Sequence, residues 1–244
     1  MTAPLAGRVA LVTGAGRGIG RAIAIAMATA GARVMAVART EEQLATLAAD
    51  TGAAYACADL ASEDGCRQAV DETRRRLGPV SLLVNNAGDG DALDGPAWDV
   101  SPADWRRKLA VNLDAPYHLC RQALPDMLAA RHGRIVNVAS TAGLTGGAGM
   151  AAFIVSKHGL VGLTRAIAID AGGAGVTCNA VCPGWVRTDA TSASEEVWAE
   201  RAATYPAGRV VTVEEVAALV VHLCSDEASG VNGEAIRVAL GGTW

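Results

Sequence analysis

Arg8-Val-Ala-Leu-Val-Thr13 runs straight into Gly14-Ala-Gly-Arg17-Gly18-Ile-Gly20, and residues 21–30 continue with small apolar side chains at helical spacing. The first run reads as a short buried strand, the glycines as a tight turn and the last segment as a helix. In that order the turn lets backbone N–H groups approach a pyrophosphate at the positive end of the helix, which is how a dinucleotide-binding unit opens. Such a turn also opens methyltransferases and flavin enzymes. The rest of the chain has to decide between them.

Outward from this unit the same rhythm repeats. A helix is expected over residues 41–49, a strand over 54–57, and a helix capped by Ser62 that Gly78-Pro79 stops after Leu77. A strand at 80–84 closes with Asn85-Asn86-Ala87-Gly88, and a long helix opens at Ser101-Pro102, an N-cap followed by proline in the first turn. Strands at 133–139, 176–181 and 233–238 alternate with helices at 153–169 and 213–225. Alternation of this kind implies right-handed crossovers and a parallel sheet. No Pro/Ser-rich linker or charge block divides the 244 residues. The expectation is therefore one α/β domain over residues 1–244, a Rossmann-type three-layer αβα fold with a seven-stranded parallel sheet. Composition agrees: 51% of residues are hydrophobic with one Phe and three Tyr, so Ala, Val, Leu and Ile must build the core.

Several function classes fall away. The chain has 21 basic and 25 acidic residues, and its longest basic run is Arg74-Arg75-Arg76 on a predicted helix, so no basic stripe speaks for nucleic acid. No uninterrupted apolar run reaches the ~18 residues of a membrane span, and Met1-Thr-Ala-Pro-Leu5 lacks the regions of a signal peptide, so a cytoplasmic protein is expected. The six cysteines form no C-x-x-C pair and the four histidines no H-E-x-x-H, which leaves no metal site in the pattern.

The second strand, residues 33–38, ends at Ala38-Arg39-Thr40, where an acidic residue would accept from a ribose 2′-hydroxyl. Arg39, with Arg17 in the glycine turn, suits a 2′-phosphate instead, so NADP(H) is expected over NAD(H). Farther on stands Ser140-Thr-Ala-Gly-Leu-Thr-Gly-Gly-Ala-Gly-Met-Ala-Ala-Phe153-Ile-Val-Ser-Lys157. Its serine follows an apolar strand, and in a helix Phe153 and Lys157 share one face.

These motifs, with Thr13-Gly14-x-x-x-Gly18-x-Gly20, resemble the short-chain dehydrogenase/reductase family over nearly the whole chain, and its ketoreductases in particular. Phe153 stands where that family has its catalytic tyrosine. The resemblance implies a catalytic set of Asn112, Ser140, position 153 and Lys157, with Ser140 on the substrate oxygen, Lys157 on the nicotinamide ribose and the Asn112 carbonyl holding a relay water. It implies cofactor contacts from Thr13, Gly14, Arg17, Gly18, Ile19 and Gly20 around the pyrophosphate, and Arg39 at the 2′-phosphate. Asp59 and Leu60 would lie beside the adenine; of the cofactor-binding residues Asn86, Ala87 and Gly88, the amides would brace the central sheet and Gly88 would let backbone pass close to the cofactor ribose. Pro183, Gly184, Val186 and Thr188 would face the nicotinamide. Ser140, Met150 and Trp185 would touch substrate, with residues 89–98, 144–150 and Trp198 completing an apolar lining, under a mobile lid at about residues 188–207.

A ketone and a secondary alcohol would be interconverted on a small hydrophobic or aromatic substrate. A carrier-bound 3-oxoacyl thioester ranks second. Arg131 could meet an acidic carrier, but residues 171–175 offer no second basic group. Phenylalanine keeps the tyrosine's ring and removes its acid, so turnover is expected to be poor. The intact neighbours of Phe153 favour a deliberate Tyr-to-Phe replacement, made to trap an unreacted complex, over a natural cofactor-binding pseudoenzyme. A methyltransferase leaves residues 85–88 and Lys157 unexplained. A homotetramer, or a homodimer, is implied by the family and by the broad apolar surface of residues 159–169.

Overall fold

The structure is a computed structural model that describes residues 3–90, 95–189 and 193–242. Seven strands form one all-parallel sheet: β1 (Val9–Thr13), β2 (Arg33–Ala38), β3 (Ala54–Cys57), β4 (Leu82–Asn85), β5 (Gly133–Val138), β6 (Val176–Pro183) and β7 (Ala235–Val238). Their spatial order is β3-β2-β1-β4-β5-β6-β7. The order reverses between β1 and β4, and open α/β sheets bind ligands at the carboxyl ends of strands at such a switch point.

The strands alternate faces as their period of two requires. Ala10, Val12, Val136 and Val138 join one core with α1 (Gly18–Thr29), α2 (Glu41–Thr51) and α8 (Val213–Cys224). Leu11 and Ile135 join the opposite core with α3 (Glu63–Leu77), α5 (Ala115–Ala130) and α6 (Ala151–Gly172). Helices therefore cover both faces, and the three-layer expectation holds. α6 is long and apolar enough by length and composition to cross a membrane, but ten of its residues are buried, with β6 beneath it.

Two segments depart from the sequence reading. The long helix expected from Ser101 is interrupted: α4 (Pro102–Leu109) and α5 are separated by a π-helical turn, Ala110–Asp114. Pro116 explains the break, because it has no N–H to meet the carbonyl of Asn112 four residues earlier, and the wider turn accommodates that loss. The second departure is in the expected lid, where α7 (Glu195–Ala203) forms behind a Ser194 N-cap that accepts from Val197 N. Residues 190–192 of that lid, and 91–94 of the expected lining, lie outside the described residues.

Polar groups lock the sheet to α6 from within. Asn85 Nδ2 donates to Asn137 Oδ1 at 2.8 Å, Asn137 Nδ2 donates to Thr164 Oγ1 at 2.9 Å, and all three residues are buried. Lys157 Nζ, also buried, donates to the carbonyl of Val138 at 3.0 Å. Burial pushes its pKa down from 10.5 to about 8.

Removing the middle of the asparagine chain strands two buried partners. Asn137→Ala should lower unfolding stability by about 2–4 kcal/mol, read as a lower denaturant midpoint with an unchanged slope. For Lys157, the unfolded chain holds a proton that the folded chain has lost over the range from about 8 to 10.5. The folded state therefore gains as pH rises through that range, and below it the gain is absent. Against Lys157→Met, which has no such proton, the gain should total about 3 kcal/mol, measured as the difference between unfolding curves at the two ends of the window.

Candidate active site

The glycine turn is welded to the end of β4 through one hydroxyl. Thr13 Oγ1 donates to Val84 O at 3.2 Å and accepts from Asn86 N at 2.9 Å and Ala87 N at 3.0 Å. Asn86 Nδ2 returns a bond to Thr13 O at 2.9 Å. Gly14 has φ +64°, and a Cβ on it would stand 2.8 Å from Asn86 Nδ2 and 2.9 Å from Ala87 Cα. A Cβ on Gly20 would strike the Gly14 carbonyl. The first turn of α1 has no acidic residue and no side-chain cap on Arg17. Its N–H groups and partial positive charge are thus left for an anion.

The turn lies over the end of β2. A Cβ on Gly16 would stand 3.5 Å from that of Ala38, so Arg17 and Arg39, each one residue away, share that edge. Both are exposed and have no carboxylate partner among the described residues. Ala58 N donates to Ala38 O at 3.1 Å, which sets Asp59 and Leu60 beside the same edge. Leu60 is buried, while Asp59 is exposed with Oδ1 accepting from Ala61 N. Ile19 packs on the core below the turn.

Beyond Asn86 the chain meets the catalytic candidates. A Cβ on Gly88 would stand 3.1 Å from Asn112 Oδ1 and 3.6 Å from Lys157 Nζ. Asn112 lies in the π turn, fully buried, with Oδ1 accepting from Asp89 N at 2.7 Å and Nδ2 donating to Ser156 Oγ at 3.1 Å. Ser156 Oγ in turn donates to the carbonyl of Phe153 at 2.7 Å. The Phe153 ring is buried, and Lys157 Nζ lies 5.8 Å from its centre. Ser140, two residues past the carbonyl that Lys157 holds, is partly exposed, with Oγ accepting from Ala142 N at 3.1 Å. A Cβ on Gly143 would stand 2.9 Å from Lys157 O, so the loop after Ser140 lies directly on α6. The geometry offers a hydroxyl, a cation and an aromatic ring, and at position 153 no proton to give.

The opposite wall begins where β6 ends at Pro183. Gly184 N donates to Val238 O at 3.0 Å and Trp185 N to Tyr205 Oη at 2.6 Å. Val186 is buried and bridges to Val211. The Thr188 side chain stands 3.3 Å from where a Gly18 Cβ would be, which closes this wall onto the glycine turn. Met150 caps α6 and is half-buried.

The expected aromatic lining is only partly available. Trp98 is 85% exposed, and Trp198 is buried, with Arg187 5.9 Å and Arg201 4.8 Å from its ring centre. Arg201 also lies 3.8 Å from the centre of the Trp185 ring. Ser156, Lys108 and Arg201 had no sequence signal, and Asp89 only that of a lining residue. Lys108 is fully buried with Nζ 3.7 Å from Asp89 Oδ1, and such a pair forms only once α4 is laid against the loop after Gly88. Among the described residues no cluster suits a metal ion.

Residues 14–243 match a family model described as enoyl-(acyl carrier protein) reductase. The chain is 37% identical to the 3-oxoacyl-[acyl-carrier-protein] reductase of Aquifex aeolicus, covering 98% of each. Among solved structures it resembles a putative NAD(P)-dependent gluconate 5-dehydrogenase from Beutenbergia cavernae, 44% identical with a TM-score of 0.90 over 99% of this chain and 98% of that one. It also resembles an actinorhodin polyketide ketoreductase variant with NADPH, 36% identical with a TM-score of 0.90 over 97% and 98%. Likeness of this extent, on the sheet and crevice that the motifs require, settles the membership that those motifs suggest: the chain belongs to the short-chain dehydrogenase/reductase family of oxidoreductases.

Proposed function

We propose that this protein is an NADP(H)-dependent ketoreductase that interconverts a ketone and a secondary alcohol on a small substrate, with its acid–base step disabled by Phe153. The observation that carries this reading is Lys157: a buried cation held on Val138 O, beside Gly88 and 5.8 Å from the centre of the Phe153 ring. A buried charge is expensive to keep without a task.

The residues present fit the cofactor. The start of α1 has no side-chain cap, and Arg17 and Arg39 stand without a carboxylate partner among the described residues at the edge where a 2′-phosphate would lie. When bound, the nicotinamide supplies the hydride. Ser140 orients and polarises the carbonyl oxygen, and Lys157 holds the ribose and would lower the pKa of a tyrosine at 153. The π turn leaves the Asn112 carbonyl without an i+4 donor, available to a relay water. Phe153 keeps the wall of the site and cannot protonate the alkoxide. The intact Asn112, Ser140 and Lys157 fit a tyrosine replaced in an otherwise working site.

Two substrate readings remain. The half-buried Met150 and Trp185 support a free ketone with apolar or aromatic surface. The Aquifex relative and the polyketide ketoreductase favour a 3-oxoacyl thioester. Arg131, the candidate carrier contact, is exposed but turns its Nη2 onto Gly173 O at 3.3 Å, and this supports the free ketone. Exposed Tyr117, Leu128, Val155 and Ile169 on α5 and α6 support pairing of these helices in a homotetramer.

Phe153→Tyr should raise NADPH-dependent ketone reduction by about 10²–10⁴-fold, followed at 340 nm against aryl, cyclic and 3-oxoacyl thioester substrates. Failure of the reversion on all of them, with NADPH still bound, would sink the enzyme reading in favour of a binding module. Replacing Arg17 and Arg39 together by Ala should cut NADPH affinity by at least tenfold and leave NADH affinity within about twofold, each charge-assisted phosphate contact being worth a kcal/mol or more. Equal losses for both cofactors in a titration would refute the 2′-phosphate assignment.

A further inference from the structure

Against the wall that follows β6 lies a cation with no counter-ion among the described residues. Trp185, from that wall, and Trp198, from α7, close on the guanidinium of Arg201, whose carbon lies 3.8 Å and 4.8 Å from their ring centres. Aromatic contact on its faces leaves the edge of the guanidinium as its hydrogen-bonding surface. At that edge Nη1 is buried and has no acceptor. The contrast lies in the same cluster: Arg187, which also packs near Trp198, is neutralised by Glu195, whereas Arg201 has no carboxylate partner among the described residues. Buried donors are nearly always satisfied in folded proteins, and no group of the described residues accepts from this one, which leaves it open to an acceptor from outside the chain.

The position says which acceptor. Val138 pairs with Val181 across β5 and β6, and Ala139 N donates to Val181 O at 2.7 Å. Ser140 therefore comes level with Pro183, two residues before Trp185. With strands about 4.8 Å apart and a rise of about 3.3 Å per residue, the backbone of Trp185 stands roughly 8 Å from that of Ser140. A span of this length matches a small molecule with a carbonyl at one end and an anion at the other. Arg201 already meets part of the aromatic surface of Trp185 and Trp198 that would otherwise line a pocket for a neutral aromatic ketone.

We propose that Arg201 is the anion receptor of the substrate pocket, its edge taking the carboxylate of a small keto acid whose carbonyl lies at Ser140. The inference rests on the ketoreductase reading and names the substrate class for it. In the reaction the carbonyl carbon accepts the hydride of NADPH and its oxygen accepts a proton, giving a hydroxy acid and NADP⁺. The carboxylate takes no part beyond holding the molecule. A charge-assisted, in-plane contact of this kind discriminates strongly against the uncharged analogue, whose presence would leave the guanidinium unmatched.

The test uses the Phe153→Tyr protein with NADPH and a panel of 2-, 3-, 4- and 5-keto acids from pyruvate to 5-ketohexanoate, each against its methyl ester. For the acids that are reduced, kcat/KM should exceed that of the ester by at least 30-fold. Arg201→Gln should erase the preference, raising KM for the acid about 100-fold while kcat, the ester kinetics and KM for NADPH hold. The acid-to-ester ratio needs no variant at Arg201, so a misfolded R201Q leaves it readable. Esters reduced as well as the acids would overturn the proposal and leave the ketoreductase reading standing. So would an R201Q that slows acid and ester alike, as a purely structural stack would. If no carbonyl is reduced, calorimetric titration of levulinate into the NADPH-loaded protein decides: saturable binding lost in R201Q keeps the anion receptor and places the failure with the ketoreductase reading, and absence of binding overturns the receptor.

Discussion

The site depends on a single buried hydroxyl. Thr13 Oγ1 gives its proton to β4 and receives two backbone N–H groups from the residues that follow β4, using both its donor and its acceptor capacity. β1 and β4 are neighbours already, but sheet pairing ends before their last residues do. Without Thr13 the glycine turn and the Asn86–Gly88 segment would be two loops free to part, and the crevice between them is where a dinucleotide would lie. Gly88 carries the constraint onward to Asn112 and Lys157, and Asp89 carries it to the π turn. The geometry of the catalytic candidates is thus inherited from the end of the first strand.

A second layer of constraint runs through the core. Asn85, Asn137 and Thr164 form a polar chain through β4, β5 and α6 in surroundings that are otherwise aliphatic. It fixes α6 against the sheet in rotation as well as in distance, since a hydrogen bond is directional where a Leu contact is not. Phe153, Ser156 and Lys157 lie along that same helix. Their aim toward β5 therefore does not rest on shape complementarity alone.

The succession of strands and helices along the chain was legible because aliphatic runs, glycine turns and caps such as Ser62 and Ser101 are local signals, and both caps form as expected, each accepting from the residue three positions on. The π turn was not legible as a break, since Val111-Asn112-Leu113 keeps helical spacing and the cause, a missing N–H at Pro116, acts on a carbonyl four residues earlier. α7 was hidden by its polarity, with Val197 and Trp198 as its apolar anchors. Of the candidate site, the parts set by local backbone were readable in the sequence: the glycine turn, residues 86–88 and the Phe153–Lys157 face. The contact of Arg201 with Trp185 and Trp198 was not, because a cluster joining residues from separate segments exists only after α7 is placed beside the residues that follow β6.

The crowding at the glycine turn separates two roles that the pattern appears to merge. The contacts that exclude a Cβ at Gly14 and Gly20 come from Asn86, Ala87 and the turn's own carbonyl, all present with no ligand bound. The protein needs these glycines to close its own sheet, before any dinucleotide arrives. A descendant that had given up the cofactor altogether would still be held to them by folding, so their presence in a chain is a record of architecture. The charges at Arg17 and Arg39 meet no carboxylate among the described residues, so folding does not hold the chain to them as it holds it to the glycines.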